Sequence, residues 1–592
     1  MAAFFMINAK AFSESVARLK NSGKIDSLNT ETRAIDLSNC GFHGAAIKVF
    51  EHCGTLSKNA VSMYVVSLSR YLDYDRLSLI AAEYKINLDN ILEEVSHSKL
   101  AFEMASPNYL NLFIERARTP SRLPLKAGQR DLNREELIKE FRDSRSLGGA
   151  LEIAKIAVKQ GNLRESAFFI NFLVQNGAIN KSVVGLFLAF LESFEKTHSF
   201  IYLIDKLSDI EHLQNHEFLA VKLQAYIHRR DMESARKLIR EVENSKFPTE
   251  VLHQLYALLR DKQKLSSLIN TRLKNNPKEV DAIIAALKNN IKLPKKSINM
   301  LPILENSEST SSGCLATIAN FYHQEGRYTK AFALYKKANT KEKELYPFSI
   351  EDEQNKMVAI TLSVSLLPTL SEHIEYTPIF IVGLPRSGTS IVEKLCADSL
   401  KNYLCIGESS AISIYINQFG IPYSKGELLN FARFYIEQNG LLDQNLFIDK
   451  MPLNFLYIGL IKRIFPNARI IYCKKNRKRN AWSLYQKIFL GKGNAFCNST
   501  DSIERFIELE RKTMSYWNRK FTDIHHVINE KLITNESVTL SELGDFLGTN
   551  VEFQDNSDHV TLTASRNQLD HLQKSLDWSY KNYAQYWDYL KD

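Results

Sequence analysis

The stretch PIFIVGLPRSGTSIVEKL, residues 378–395, decides how the rest of the chain is read. Four apolar residues, Ile379 to Val382, have the length and branching of a buried strand. A glycine-bounded loop follows, Gly383-Leu-Pro-Arg-Ser-Gly388, and then a helical pattern opens at Thr389. The spacing Gly-x-x-x-x-Gly turns backbone N–H groups toward an anion, and the helix adds the positive end of its dipole. Loops that cradle a nucleoside triphosphate place a lysine after the second glycine. Here that position is Thr389, and the loop carries Arg386 instead. Nor does a later strand end in an obvious magnesium-binding aspartate. The loop is therefore expected to hold a phosphate, in chemistry other than that of a triphosphate kinase.

Downstream, short β-rich runs alternate with helical segments: YLCI (403–406), NLFID (445–449), ARIIYC (468–473) and HVIN (526–529). Strands spaced by helices predict a parallel sheet wound with α-crossovers. A basic turn, Lys474-Lys-Asn-Arg-Lys-Arg479, follows the ARIIYC strand and opens a helix that contains Ser483. Such a run is either a solvated charge cluster or an anion site, and its place after a strand favours the site. The last segment, LDWSYKNYAQYWDYL, reads as an aromatic-rich closing helix.

Upstream, residues 1–365 are helical in pattern and poor in proline and glycine. In LATIANFYHQEGRYTKAFALYKKAN, Ala319, Tyr322, Gly326, Tyr328, Ala331, Tyr335 and Ala338 alternate small and large as two interlocking helices require. Fainter copies place Gly41, Ala46 and Phe50, then Gly161 and Ser166, then Ala235 and Ile239, in the same register; Pro277 terminates another. The pattern resembles tetratricopeptide repeats, whose period is about 34 residues. Stacked pairs form a solenoid with a concave surface. Breaks are expected near 120–148 and at the polar stretch 305–313. The predicted architecture is thus α plus α/β: a helical-repeat solenoid over 1–365, then a P-loop-like α/β domain with a parallel sheet over 376–592.

FIVGLPRSGTS resembles the 5′-phosphosulfate loop of sulfotransferases that use 3′-phosphoadenosine 5′-phosphosulfate (PAPS). It is most similar to the branch with tyrosylprotein sulfotransferases and bacterial proteins that join tetratricopeptide repeats to a sulfotransferase domain. The resemblance covers about 376–592. It implies that Pro385, Arg386, Ser387, Gly388, Thr389 and Ser390 bind the 5′-phosphosulfate, with Arg386 beside the bridging oxygen. No γ-phosphate needs holding, so the missing lysine is explained and no metal is implied. Lys475 stands where the family has an arginine, and with Ser483 it is expected to grip the 3′-phosphate. Lysine keeps the charge but loses the bidentate fork, and Asn476 and Arg477 replace the family's usual Asp and Pro or Gly. The resemblance further implies Glu408 as general base, Lys450 beside the transferring sulfuryl group, and Ser565, Lys574 and Ser575 over the nucleotide. Ser410 replaces an arginine that holds acidic peptide in the tyrosylprotein enzymes. Asn529 replaces a tyrosine in a segment, 529–533, expected to be structural, and Trp578 and Tyr583 are expected to pack.

The chain has 592 residues, 44% hydrophobic and 24% charged, with a formal net charge of +9. This is a globular composition, too weakly basic to demand nucleic acid. Seven scattered cysteines without a Cys-x-x-Cys pair suit a reducing compartment. No apolar run reaches the roughly 18–20 residues of a membrane span, and no signal-like segment opens the chain, so a cytoplasmic protein is expected. The acceptor hydroxyl, on a protein, a glycan or another alcohol, is left open, with the repeats as its expected holding surface. Two alternatives stand beside this reading. Gly407-Glu-Ser-Ser-Ala411 lacks the second glycine of a hydrolase nucleophile elbow. A catalytically degenerate transferase domain on a protein-binding scaffold is the other.

Overall fold

In the computed structural model the described residues are 9–21, 30–71, 73–118, 134–159, 162–193, 197–208, 210, 218–219, 222–223, 226, 232–243, 252, 256, 261–373, 375–489, 491–534, 536–552 and 578–590. They divide into two compact units: 1–255 with 410–443, and 256–409 with 444–592. The packing units therefore do not coincide with the domains drawn from sequence. Helices from 262 onward pack in the unit that holds the sheet, and residues 410–443 pack in the first unit.

Among its described residues the first unit is helical, from Ala9–Asn21 to Met232–Glu243 plus Ala411–Phe419 and Lys425–Gln438. Neighbouring helices pack as hairpins. Thr30–Asn39 and His43–Phe50 meet across Gly41, whose φ of +79° suits the turn. Ala46 and Phe50 are buried there. Polar caps start several helices: Ser57, Asp73, Ser106 and Asn162 each accept a hydrogen bond from a first-turn N–H. Aromatic packing fills the interior, with Phe113 and Phe187 centroids 4.4 Å apart. Gly161 lies outside the described residues, while Ser166, Ala235 and Ile239 are buried as the repeat register requires. The expected break near 120–148 is partly undescribed, and Arg134–Ser144 within it is helical.

The second unit opens with a helix, Lys262–Asn275, that stops before Pro277. Then come α1 (Val280–Lys288), α2 (Ser312–Gln324) and α3 (Tyr328–Leu345). Helices α2 and α3 join through Gly326 at φ +72°, and Ala319, Ala331, Tyr335 and Ala338 are buried between them. The polar stretch at 305–313 forms the expected break, a turn over 307–311 between Leu301–Asn306 and α2, and buried Glu305 at its start accepts a 2.5 Å hydrogen bond from the Tyr322 hydroxyl.

A five-stranded sheet follows: β1 (Ile379–Gly383), β2 (Leu404–Gly407), β3 (Phe447–Asp449), β4 (Arg469–Lys474) and β5 (Ile524–Ile528). Its order is β2-β3-β1-β4-β5 and every pairing is parallel. β1 is central and wholly buried, which is why it reads as an unbroken apolar run. Helix α4 (Thr389–Ser399) follows β1, and α5 (Arg477–Gln486) follows β4, before the long α6 (Thr500–Lys520). The closing segment differs from expectation. Its described part forms two short 3₁₀ turns, Ser579–Tyr583 and Asp588–Leu590. Tyr583 is fully buried, stacked 3.7 Å from Trp482, because the segment serves as an aromatic seal on α5 and α2. Trp578 is 44% exposed, against the expectation that it packs.

Candidate active site

All the sheet's strands are parallel, so their C-terminal ends share one edge, where open α/β sheets bind ligands. β1 ends in the glycine loop, β2 precedes Glu408, β3 precedes Lys450 and β4 precedes Lys475. The sheet order sets these in the row Glu408, Lys450, loop, Lys475.

The loop is tight for physical reasons. A Cβ on Gly383, at φ +145°, would lie 2.4 Å from the Cys473 carbonyl oxygen of β4. A Cβ on Gly388, at φ +106°, would lie 2.8 Å from the Asn529 amide nitrogen. Gly388 is the N-cap of α4 and Thr389 and Ser390 form its first, buried turn. Arg386 adopts φ +68°, a left-handed conformation that costs an L-residue energy and is held by its surroundings. The Asn480 side chain donates to the Pro385 carbonyl at 3.0 Å, tying the loop to α5. The Ser387 hydroxyl is buried and has no hydrogen-bond partner among the described residues.

Arg386, Lys475 and Ser483 meet. Arg386 Nε donates to Ser483 Oγ at 3.3 Å, and Lys475 Nζ donates to the Arg386 carbonyl at 3.4 Å. Burial pushes the half-buried Arg386 guanidinium down to about 10. Asn476 does more than replace an aspartate: its Oδ1 caps α5, accepting from the Lys478 and Arg479 N–H groups. Buried Arg479 pairs with Glu530, which also accepts from the Asn476 N–H at 3.0 Å. The 529–533 segment thus braces both loops.

A second group sits at the ends of β2 and β3. Lys450 is fully buried, its ammonium paired with Glu408 and 3.7 Å from Glu393 Oε2. Its N–H donates to the Gly407 carbonyl at 2.8 Å, which fixes the backbone from which it projects. Asp449 ends β3, and a 3₁₀ turn begins at Pro452. Glu393, on α4, went unrecognised in the sequence because its spacing is that of an ordinary helix position. Ser565, Lys574 and Ser575 lie outside the described residues.

The residues present fit an anionic ligand on structural grounds: an orphaned buried hydroxyl at Ser387, two glycines where a Cβ would crowd a neighbour, and a half-buried arginine beside a lysine.

Residues 427–555 match the model of the sulfotransferase family. The match supports a sulfotransferase domain in this part of the chain. The match includes Lys450, Lys475 and Ser483 and begins after the glycine loop and Glu408. An uncharacterized protein of Aquifex aeolicus (strain VF5) is 26% identical over 383 residues, 57% of this chain and 49% of that protein. The chain spans about half the length of that curated relative. The pentatricopeptide repeat protein PPR10 from maize aligns over 90% of this chain and 81% of its own, at 13% identity and a TM-score of 0.19. Among the described residues no helix is long and apolar enough to cross a membrane.

Proposed function

We propose that the second unit moves a sulfuryl group from PAPS to a hydroxyl of a protein or glycan acceptor, with Glu408 as general base. The observation that carries this is the meeting of Arg386, Lys475 and Ser483 between the ends of β1 and β4, on a domain of the sulfotransferase family. Lys475 and Ser483 take the donor's 3′-phosphate. The loop N–H groups, Ser387, Thr389 and Ser390 take the 5′-phosphate.

Sulfuryl transfer makes the demands of phosphoryl transfer: in-line geometry and neutralisation of charge. The acceptor oxygen forms a bond to sulfur as the bond from sulfur to the bridging oxygen breaks. The acceptor's proton passes to the Glu408 carboxylate. Charge left on the bridging oxygen is met by Arg386, whose desolvated setting strengthens the interaction. Lys450, paired with Glu408, stands on the acceptor side of the loop and offsets charge on the sulfuryl oxygens. The chain's own charges suffice for these steps.

Calorimetric titration with 3′,5′-adenosine diphosphate tests the donor site; micromolar binding is expected. Arg386→Ala should abolish transfer. Glu408→Ala should lower turnover by about 10²–10⁴, the usual worth of a positioned base, while leaving nucleotide affinity within about threefold. No nucleotide binding would favour a degenerate scaffold, and full activity in Glu408→Ala would remove that residue from the base role.

A further inference from the structure

Three hydrogen bonds hold the glycine loop against the corner between β4 and α5. The Asn480 side chain donates to the Pro385 carbonyl at 3.0 Å, Lys475 Nζ to the Arg386 carbonyl at 3.4 Å, and Arg386 Nε to Ser483 Oγ at 3.3 Å. Asn480 and Ser483 are three residues apart on α5, so they share one face of the helix, and that face meets the loop. The first two bonds fix the backbone at residues 385 and 386, where Arg386 takes φ +68°. The third draws its side chain to α5. In the sheet order β4 and β3 flank β1 on opposite sides, so the Arg386 guanidinium turns toward the Lys475 corner, on the other side of β1 from the strand that precedes Lys450.

The chemistry of that corner has a gap that Arg386 fills. Lysine is a point charge on a flexible stem, whereas arginine is a planar fork that matches two oxygens of one phosphate. Lys475, directly after β4, gives the corner charge without a fork. Arg386 brings a fork to the same place, within a hydrogen bond of Ser483 and with its carbonyl held by Lys475. Ser483 Oγ accepts from Arg386 and, as a hydroxyl, has its own O–H to give to a phosphate oxygen. A guanidinium carries donors along more than one edge, so one side chain can serve two anionic groups. We propose that Arg386 reads the donor's 3′-phosphate as well as meeting the bridging oxygen: beside Ser483 it supplies the planar fork that Lys475 lacks, and it thereby makes the chain select a 3′-phosphorylated donor. This rests on the sulfotransferase reading of the same site.

Calorimetric titration of the full chain with 3′,5′-adenosine diphosphate and with adenosine 5′-monophosphate tests it, because the two differ only in the 3′-phosphate. The parent should bind the diphosphate at least about tenfold tighter, the worth of one hydrogen bond to a charged group. Arg386→Lys keeps a cation and removes the fork. It should weaken the diphosphate at least about tenfold more than the monophosphate; a contact with the bridging oxygen alone would weaken both alike. Lys475→Arg puts a second fork at a corner that already has one, so it should tighten the diphosphate by less than about threefold. In Lys475→Arg/Arg386→Lys the selective loss should shrink to within about threefold, since the fork is restored from the other residue. Equal binding of the two nucleotides by the parent, or equal losses in an Arg386→Lys chain that melts with the parent, overturns the proposal. Where Arg386→Lys melts lower, Lys475→Arg decides: a gain of about tenfold or more for the diphosphate would mean that no fork stood there before, and also overturns it. Binding of neither nucleotide by the parent would overturn the transferase reading itself, and this proposal with it.

Discussion

Lys450→Met removes the ammonium shared by Glu393 and Glu408, and its cost follows from their burial. Lys450 is fully buried and Glu393 is 2% exposed, so the substitution strands a carboxylate in the interior. Breaking a buried ion pair by removing one partner costs about 3–5 kcal/mol. The Glu408 side chain is 39% exposed, so water takes over much of its solvation and little of that pair should be counted. The low end, about 3 kcal/mol, is the expectation. In a unit of this size, beyond about 250 residues, each kcal/mol lowers Tm by no more than about 2 °C, so the second unit should melt roughly 4–6 °C lower by differential scanning calorimetry. Transfer activity should be lost. Nucleotide affinity should change little, since the groups proposed to bind phosphate are at the ends of β1 and β4. The decisive arm is the double variant Lys450→Met/Glu393→Gln. With the stranded charge gone, it should recover about 1–3 kcal/mol relative to the sum of the single losses. If Lys450→Met melts like the parent, or if the two losses simply add, the carboxylate–ammonium arrangement described here is wrong.

Other expectations follow from the loop and from one buried carboxylate. Gly383→Ala sets a Cβ against the Cys473 carbonyl, backbone that cannot yield because β1 and β4 pair there; a loss of about 2–4 kcal/mol is expected in urea unfolding. Gly388→Ala meets only the Asn529 side chain but must adopt φ +106°, so it should cost about 1–3 kcal/mol of stability while weakening 3′,5′-adenosine diphosphate binding by about tenfold or more. Glu510, buried on α6 and accepting from the Tyr472 hydroxyl, is pushed up to about 7 by desolvation. The native chain then holds a proton that the unfolded chain releases above about pH 4.3, so this group's contribution to stability falls as pH rises from there to about 7. Glu510→Gln should leave the Tm near the parent's at pH 4.5 and raise it at pH 8; equal shifts at both would refute the assignment.

What the sequence made legible, and what it hid, divide along the range of the interactions. The β1–loop–α4 unit is local: a strand buried on both faces must be apolar, and a turn with φ of +145° and +106° must have glycine. Both requirements write themselves into consecutive residues. Likewise Lys475 and Ser483 lie on one strand–helix corner, so their spacing alone relates them. Glu393 is different. It looks like a solvated position on α4 and is buried only because β3 delivers Lys450 to the same place. Asn529 and Glu530 brace Gly388 and Arg479 from a segment whose sequence shows only a short helix start. The division at 410–443 is also non-local, since helices between β2 and β3 read as an ordinary crossover until their packing with the first unit is seen.

The same contrast explains why the acceptor side is harder to read than the donor side. A nucleotide's phosphates are fixed in chemistry, so the groups that meet them recur in short order along the chain. Lys450 meets Glu408 and Glu393 only where three separate segments pack together, so nothing consecutive in the sequence marks them as one group.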